Sequence, residues 1–239
     1  MPTTDVLILA VARQPGGLTI AGMTPERDAT TGLRWVRLVA AEPFDLEELR
    51  YADGSIMRPG DVVRFALGEA QPASPHVENV AVELGDAPLE CVRRLGGDRR
   101  AAFFAERLDP APRQVLIERS RSLCLVRPAH LTAIIERDEE TGHFGAKFAI
   151  AIPSGHFHED GTPKYLRSKE DVVVTDIYWR ALMRTWLAGE EFMEVDDAEL
   201  RERLGEIYVV VGLSPKGALR ILGVHTVPEY DVTLDQEDL

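Results

Sequence analysis

The sequence predicts a mainly β protein with a few helices, built as two small β-rich units in tandem. Three observations carry this expectation. Short apolar runs with strand patterning recur along the 239 residues and are separated by Gly-, Pro- and Asp-containing turns. Helical periodicity is confined to a few stretches. A proline-rich segment near mid-chain, DPAPRQ at residues 109–114, reads as a linker. The expected units are therefore residues 1–112 and 113–239, each with enough strands for a five-stranded closed barrel.

The first apolar run, residues 6–12 (VLILAVA), breaks at Arg13 and passes through Gln14-Pro15-Gly16-Gly17 into a second run that ends at Ala21-Gly22. A phosphate cradle needs a Gly-Lys-Ser/Thr step or G-x-G-x-x-G at the mouth of a helix. No lysine follows here, and Leu18-Thr19-Ile20 reads as strand. Pro15 presets a turn, and glycine takes the positive φ that a tight reversal needs. A hairpin is expected. After a turn at Thr31-Gly32, residues 33–40 (LRWVRLVA) set Arg34 and Arg37 among Leu33, Trp35 and Val36. Strands follow at 60–67 (GDVVRFAL) and 77–84 (VENVAVEL), then a short helix at 98–108.

Beyond the linker come strands at 122–128 and 130–136, a hairpin through DEETGHFG (138–145), and an alternating strand at 146–153. A helix is expected around 176–188, with Trp179, Leu182, Met183, Trp186 and Leu187 on one face. Thr175 or Asp176 caps its start, and Gly189 sits past its end. Asp196 and Glu199 open a shorter helix at 197–204. Strands at 207–214 and 218–227, joined by a turn at Pro215-Lys216-Gly217, close the core. The terminal DQEDL reads as an acidic tail.

Composition bounds the function. No run of about eighteen apolar residues exists, so no membrane span is expected. The N-terminus lacks the basic flank of a signal peptide, which predicts a cytoplasmic protein. Cys91 and Cys124 have no C-x-x-C spacing, so neither a disulfide framework nor a structural zinc site is expected. The net charge of −13 argues against a generic nucleic-acid binder, because non-specific affinity comes mainly from neutralised phosphates. The distribution is uneven, however. Residues 91–130 hold nine arginines against four acids, whereas 186–239 hold thirteen acids against four bases. With 23 arginines to 4 lysines, forked planar contacts are favoured over point charges.

Motifs for catalysis are missing: there is no Gly-x-Ser-x-Gly elbow and no cysteine beside a histidine. An enzyme is therefore unsupported, and no cofactor is expected. His156-x-His158 follows Pro153-Ser154-Gly155, with His143 upstream, and reads as a solvated loop rather than a metal site. Trp35, Phe65, Phe148 and Tyr208 are candidate base-stacking platforms, although alternating aromatics in strands are more often core.

The motifs ARQPGGLTIAG, WVRLVA, PGDVVRF, HVENV, SLCLVRP, VTD and YVVVGLS occur in an order that resembles the dual OB-containing domain family of prokaryotes, over about residues 6 to 227. The resemblance implies two oligonucleotide/oligosaccharide-binding (OB) barrels in tandem. It also implies a nucleic-acid-binding or sensing accessory module of a defence or repair system. Arg13, Gly17, Ile20, Ala21 and Gly22 match the first motif, while Ala12, Gln14, Leu18 and Thr19 depart from it. Trp35 and Arg37 match the second, with Leu38 in place of a proline. His76, Glu78 and Asn79 match the third, and Thr175 and Asp176 the fourth.

The resemblance thus implies a binding cluster of Arg13, Arg37, His76, Glu78, Asn79, Thr175 and Asp176. The alternative is a structural lock in which Glu78 pairs with an arginine. Arg93, Arg94, Arg99 and Arg100 are the further candidates for phosphate contact. The expected partners are single-stranded or damaged nucleic acid and a protein of the same system. The competing reading is an adaptor that docks a basic protein partner through its acidic C-terminal half.

Overall fold

The computed structural model describes residues 3–239 except 28, 30, 31, 33, 86, 87, 138, 139, 141–143 and 169, and leaves aside the side chain of residue 236. Thr31, Leu33, His143 and most of the 138–145 turn therefore lie outside the described residues.

The 6–12 run forms the middle of β1 (Thr3–Gln14), a strand covered on both faces. Its first half pairs antiparallel with β4 (Asp61–Ala70) and its second half with β2 (Gly17–Met23), with a register shift between Ile8 and Ala10. Val6, Ile8 and Val11 point into one core, while Leu9, Ala10 and Ala12 point into another. A strand buried on both faces needs an uninterrupted apolar run, and this one has it. Gln14 pairs with Gly17 across the Pro15-Gly16 turn, where Gly16 has φ +88°. The glycine stretch is a hairpin.

From β2 the sheet continues antiparallel to β3 (Trp35–Val39), which pairs parallel with β5 (Asn79–Val82), itself antiparallel to β4. The β4–β1 pairing closes a five-stranded barrel in the order 1-2-3-5-4. β6 (Glu90–Arg94) extends β4, and α1 (Gly97–Glu106) follows.

The second half repeats this order. β7 (Leu123–Val126) and β8 (His130–Arg137) act as one long first strand interrupted at Pro128, where the ladder loses a donor. β8 pairs with β9 (Phe144–Phe157), and β9 with both β10 (Pro163–Arg167) and β11 (Val172–Val173). A parallel bridge from Val174 to Ile221 joins this side to β14 (Leu219–Val227). β14 pairs with β13 (Glu206–Leu213), and β13 returns to β7. β12 (Phe192–Val195) flanks β8.

The segment at 109–114 is tied down. Asp109 N donates to Leu125 O at 2.8 Å, the Arg121 guanidinium reaches the Asp109 carboxylate at 2.5 Å, and α2 (Arg113–Leu116) follows. α3 (Ile177–Leu187) places Trp179, Met183 and Leu187 in the second core and Ile177 and Tyr178 in the first. Asp196 caps α4 (Asp197–Leu204) by accepting from Glu199 N at 2.9 Å. The expected acidic tail is instead a strap. Asp238 is fully buried against Arg184, and Glu229 and Asp231 both pair with Arg58. Excess carboxylates at the end of an acidic chain find the arginines that lie beneath them.

Candidate functional site

The outer faces of β1, β2 and β3 pack on β7, β13 and β14. Leu9, Ala10, Ala12, Ala21 and Trp35 form one apolar cluster with Leu123, Tyr208, Val210 and Leu222. A polar cleft opens at each end of this seam.

At the first end, Arg37 on β3 stands beside Asn79 of β5. Its Nη2 donates to Ser122 Oγ at 3.0 Å, and Ser122 in turn donates to the Glu78 carboxylate. The Glu78 carboxylate lies 3.9 Å from Arg37 and is itself buried. Burial pulls the Arg37 guanidinium below its usual value, and the charge on Glu78 opposes that pull. Arg37 Nε and Asn79 Oδ1 are buried without a hydrogen-bond partner. His76 Nε2 lies 2.9 Å from Leu213 O, a geometry in which the neutral ring donates. Burial, followed by the Arg37 charge, lowers its pKa and keeps it neutral at pH 7.

These groups border a cleft of about 690 Å³ that also takes Arg13, Thr175, Lys216 and Arg220 into its wall. Arg13, Lys216 and Arg220 form no ion pair among the described residues, and Glu42 is the one acid on the lining. Both halves contribute: the turn Ser214–Gly217 between β13 and β14 closes over the β3 side.

Arg13, Arg37, His76, Asn79 and Thr175 thus share one cleft, with Glu78 beneath it. Asp176 does not face it. Its carboxylate is fully buried and accepts from Tyr178 N, Trp179 N and, at 2.6 Å, Val224 N, so it caps α3 and ties that helix to β14. Burial raises its pKa to about 7, against the pull of those three donors. Arg100 is likewise interior: Nε donates to Thr226 O at 2.8 Å, and the guanidinium lies over Phe104. Arg93, Arg94 and Arg99 line a separate cleft at the other end of the seam. Among the remaining arginines of 91–130, Arg113, Arg121 and Arg127 are paired with Glu118, Asp109 and Glu206.

Trp35, Phe65, Phe148 and Tyr208 are all buried, and none offers a ring face to a base. His156 and His158 are exposed at the β9–β10 hairpin. Among the described residues no group of three or more His, Cys, Asp or Glu is placed to hold a metal ion, and no helix is long and apolar enough to cross a membrane. Sequence reading missed Lys216 and Arg220. The signal was available in SPKGALR, with one cation in a hairpin turn and one just after it, but only the fold reveals that this turn faces Arg37.

Strand order and closure define a tandem OB-barrel protein with a cleft beside the β2–β3 face. The chain belongs to the dual OB-containing domain family, whose family model matches residues 4–215. No curated protein and no solved structure matches it.

Proposed function

We propose that this protein binds nucleic acid, holding a short single-stranded or damaged stretch in the cleft between its two halves. The observation that carries the reading is the gathering of Arg13, Arg37, Lys216 and Arg220 around one cleft, with Asn79, whose Oδ1 has no partner, on its wall. Guanidinium and ammonium groups suit phosphates, and an amide with a free oxygen suits a base amino group. OB barrels take oligonucleotides on the face of strands 2 and 3 and on the loops between strands 1 and 2 and strands 4 and 5. Here Thr19, Arg37 and Val39 come from that face, Pro15 from the first loop with Gln14 at its edge, and His76 from the second.

The middle of the same face is covered by β13 and β14. A strand therefore reaches one end of the face and cannot run across it, which favours strand ends, flipped bases and short unpaired segments. In this reading residues 1–112 and 113–239 are the two units, and neither forms the cleft alone. The role is that of a recognition module in a cytoplasmic prokaryotic defence or repair system.

The test is fluorescence anisotropy with short DNA and RNA strands across a salt series. Affinity is expected to fall by roughly 0.7 log units per tenfold salt for each phosphate neutralised, and R13A/K216A is expected to flatten that slope by about two phosphates. Absence of binding to single- or double-stranded DNA or RNA at about 50 mM salt, where such contacts are strongest, overturns the reading.

A further inference from the structure

We propose a second binding site, for the phosphate and base of a nucleotide unit, in the arginine cleft at the opposite end of the seam. This cleft measures about 650 Å³ and is bordered by Arg34, Arg93, Arg94, Arg99 and Arg107, with Leu7, Met23, Val62 and Phe103 as its apolar lining. The proposal does not rest on strand binding in the first cleft, with which it shares no lining residue.

The charge balance is the first argument. The protein carries 40 acidic residues against 27 basic ones, so arginines have abundant partners. Arg58, Arg64, Arg121 and Arg184 all reach carboxylates. Arg34, Arg93, Arg99 and Arg107 pair with none among the described residues, yet they gather around one opening. They arrive from three places in the chain: the residue before β3, β6, and α1 with its C-terminal flank. Four unneutralised cations around one cleft repel one another, and an anion drawn in between them relieves that repulsion.

The site is also built from below. Arg94, the fifth arginine, is held by Asp61 at 2.6 Å, and Asp61 is fully buried. The same carboxylate accepts from Tyr51 Oη at 2.8 Å and from Arg58 N at 3.0 Å. This anchor fixes the end of β6, and with it the position of Arg93. Among the described residues the one acid on the wall is Asp5, which is already engaged by Arg64 at 2.9 Å.

The lining selects the ligand. Phe103 is half-buried, braced edge-on by Phe104 with ring centroids 5.4 Å apart. An aromatic ring beside unpaired guanidinium forks is the combination that takes a base by stacking and its phosphates by bidentate hydrogen bonds. A cleft of this size lies within the range for a small ligand. The nucleotide unit comes either free, as a nucleoside phosphate, or as part of a strand.

Isothermal titration calorimetry on the full chain separates these sources, with adenosine triphosphate, inorganic tripolyphosphate and a short oligothymidylate as probes. Wild type is expected to bind the triphosphate or the oligonucleotide more tightly than tripolyphosphate. R93A/R99A is expected to weaken that binding by about a hundredfold, roughly tenfold per charge-assisted contact. Phe103→Leu, which keeps the apolar volume, is expected to weaken both base-containing probes by about tenfold or more and leave tripolyphosphate unchanged. R13A/K216A is expected to leave triphosphate binding unchanged. Both arginines removed in R93A/R99A are exposed, so its melting temperature should match wild type and exclude misfolding as the cause. Three results overturn the proposal: no binding of any probe, equal binding of tripolyphosphate and nucleotide, or binding that R93A/R99A does not weaken. Oligonucleotide binding lost in R13A/K216A alone, with no binding of the triphosphate to wild type, overturns this second site and leaves the first cleft standing.

Discussion

The middle of the inter-barrel seam and its two ends lie on the same strands, yet they are built from opposite chemistry. In the middle, Ala10, Ala12 and Ala21 are small enough for backbones to approach, and Gly223 of β14 lies so close to β1 that an added Cβ would collide with Leu9 O. At the ends, long cations gather around open clefts. Strand β3 makes both within five residues. Trp35 is seam core, Val36 and Leu38 fill the first barrel, and Arg37 enters the cleft. Side chains two apart on a strand share a face, so a single register step decides whether that face is glue or site. The lesson is that a ligand face can be given over to domain packing at its centre and still keep a wet, charged edge.

The comparison is broken most severely at the centre. Gly223→Val places side-chain atoms where Leu9 O and Val210 already stand, and β1 cannot retreat because its other face fills the first barrel. The expected loss is more than about 3 kcal/mol, read as a lowered urea midpoint. Gly85→Ala, where a Cβ meets nothing within 4 Å and φ is ordinary, is the control and is expected to stay within about 0.5 kcal/mol. Equal midpoints for the two variants would mean that the strands do not need this close approach.

How much of this was legible follows from which interactions are local. The uninterrupted runs at 6–12 and 207–213 announce strands covered on both faces, and Pro15-Gly16-Gly17 announces its own turn. The partner of such a strand is not announced, because alternation tells which face is apolar and not what covers it. Gly223 therefore looked like any strand glycine. Arg99 and Arg100 are adjacent with opposite fates, one exposed and one interior. That difference was readable, since Arg100 and Phe104 stand four apart on one face of α1. For Asp176, the cap to Tyr178 and Trp179 was local, whereas the bond to Val224 crosses 48 residues and needed the fold. The first cleft was legible on the side of Arg13, Arg37, His76 and Asn79, and hidden on the side of Lys216 and Arg220.

A second test sharpens the comparison through pH. His225 lies in the seam, fully buried, with Nε2 2.8 Å from Leu9 O and Nδ1 3.5 Å from Arg100 Nη2. That arrangement requires the neutral ring, donating through Nε2 and accepting through Nδ1. Burial, then the Arg100 charge, lowers its pKa from 6.5 to about 3. The unfolded chain takes up a proton below about pH 6.5 that the folded seam refuses. Stability from this group is thus complete above that pH and is lost as pH falls toward 3, at about 1.4 kcal/mol per unit. His225→Gln can still donate to Leu9 O and accept from Arg100 but does not titrate. Its acid denaturation profile between pH 6.5 and 4 is expected to be shallower than wild type by that one-proton slope. Parallel profiles would place the titrating group elsewhere.

The smallest effect is expected at the ends, and its smallness is what the comparison requires. Arg13 is half-buried and Lys216 exposed, and neither side chain joins a carboxylate among the described residues. Burial lowers the Arg180 pKa and the nearby charge of Arg13 lowers it further, which marks repulsion between the two arginines. Removing both charges relieves that repulsion and deletes no pair, so R13A/K216A is expected to change the unfolding free energy in a urea titration by less than about 0.5 kcal/mol, with any change toward stability. The difference between variant and wild type should shrink as salt screens the remaining cations. A salt-independent loss above about 1 kcal/mol would show that the long side chains pack as structure. The ends would then be glue like the middle, and the cleft would lose its claim to be a site held open for a ligand.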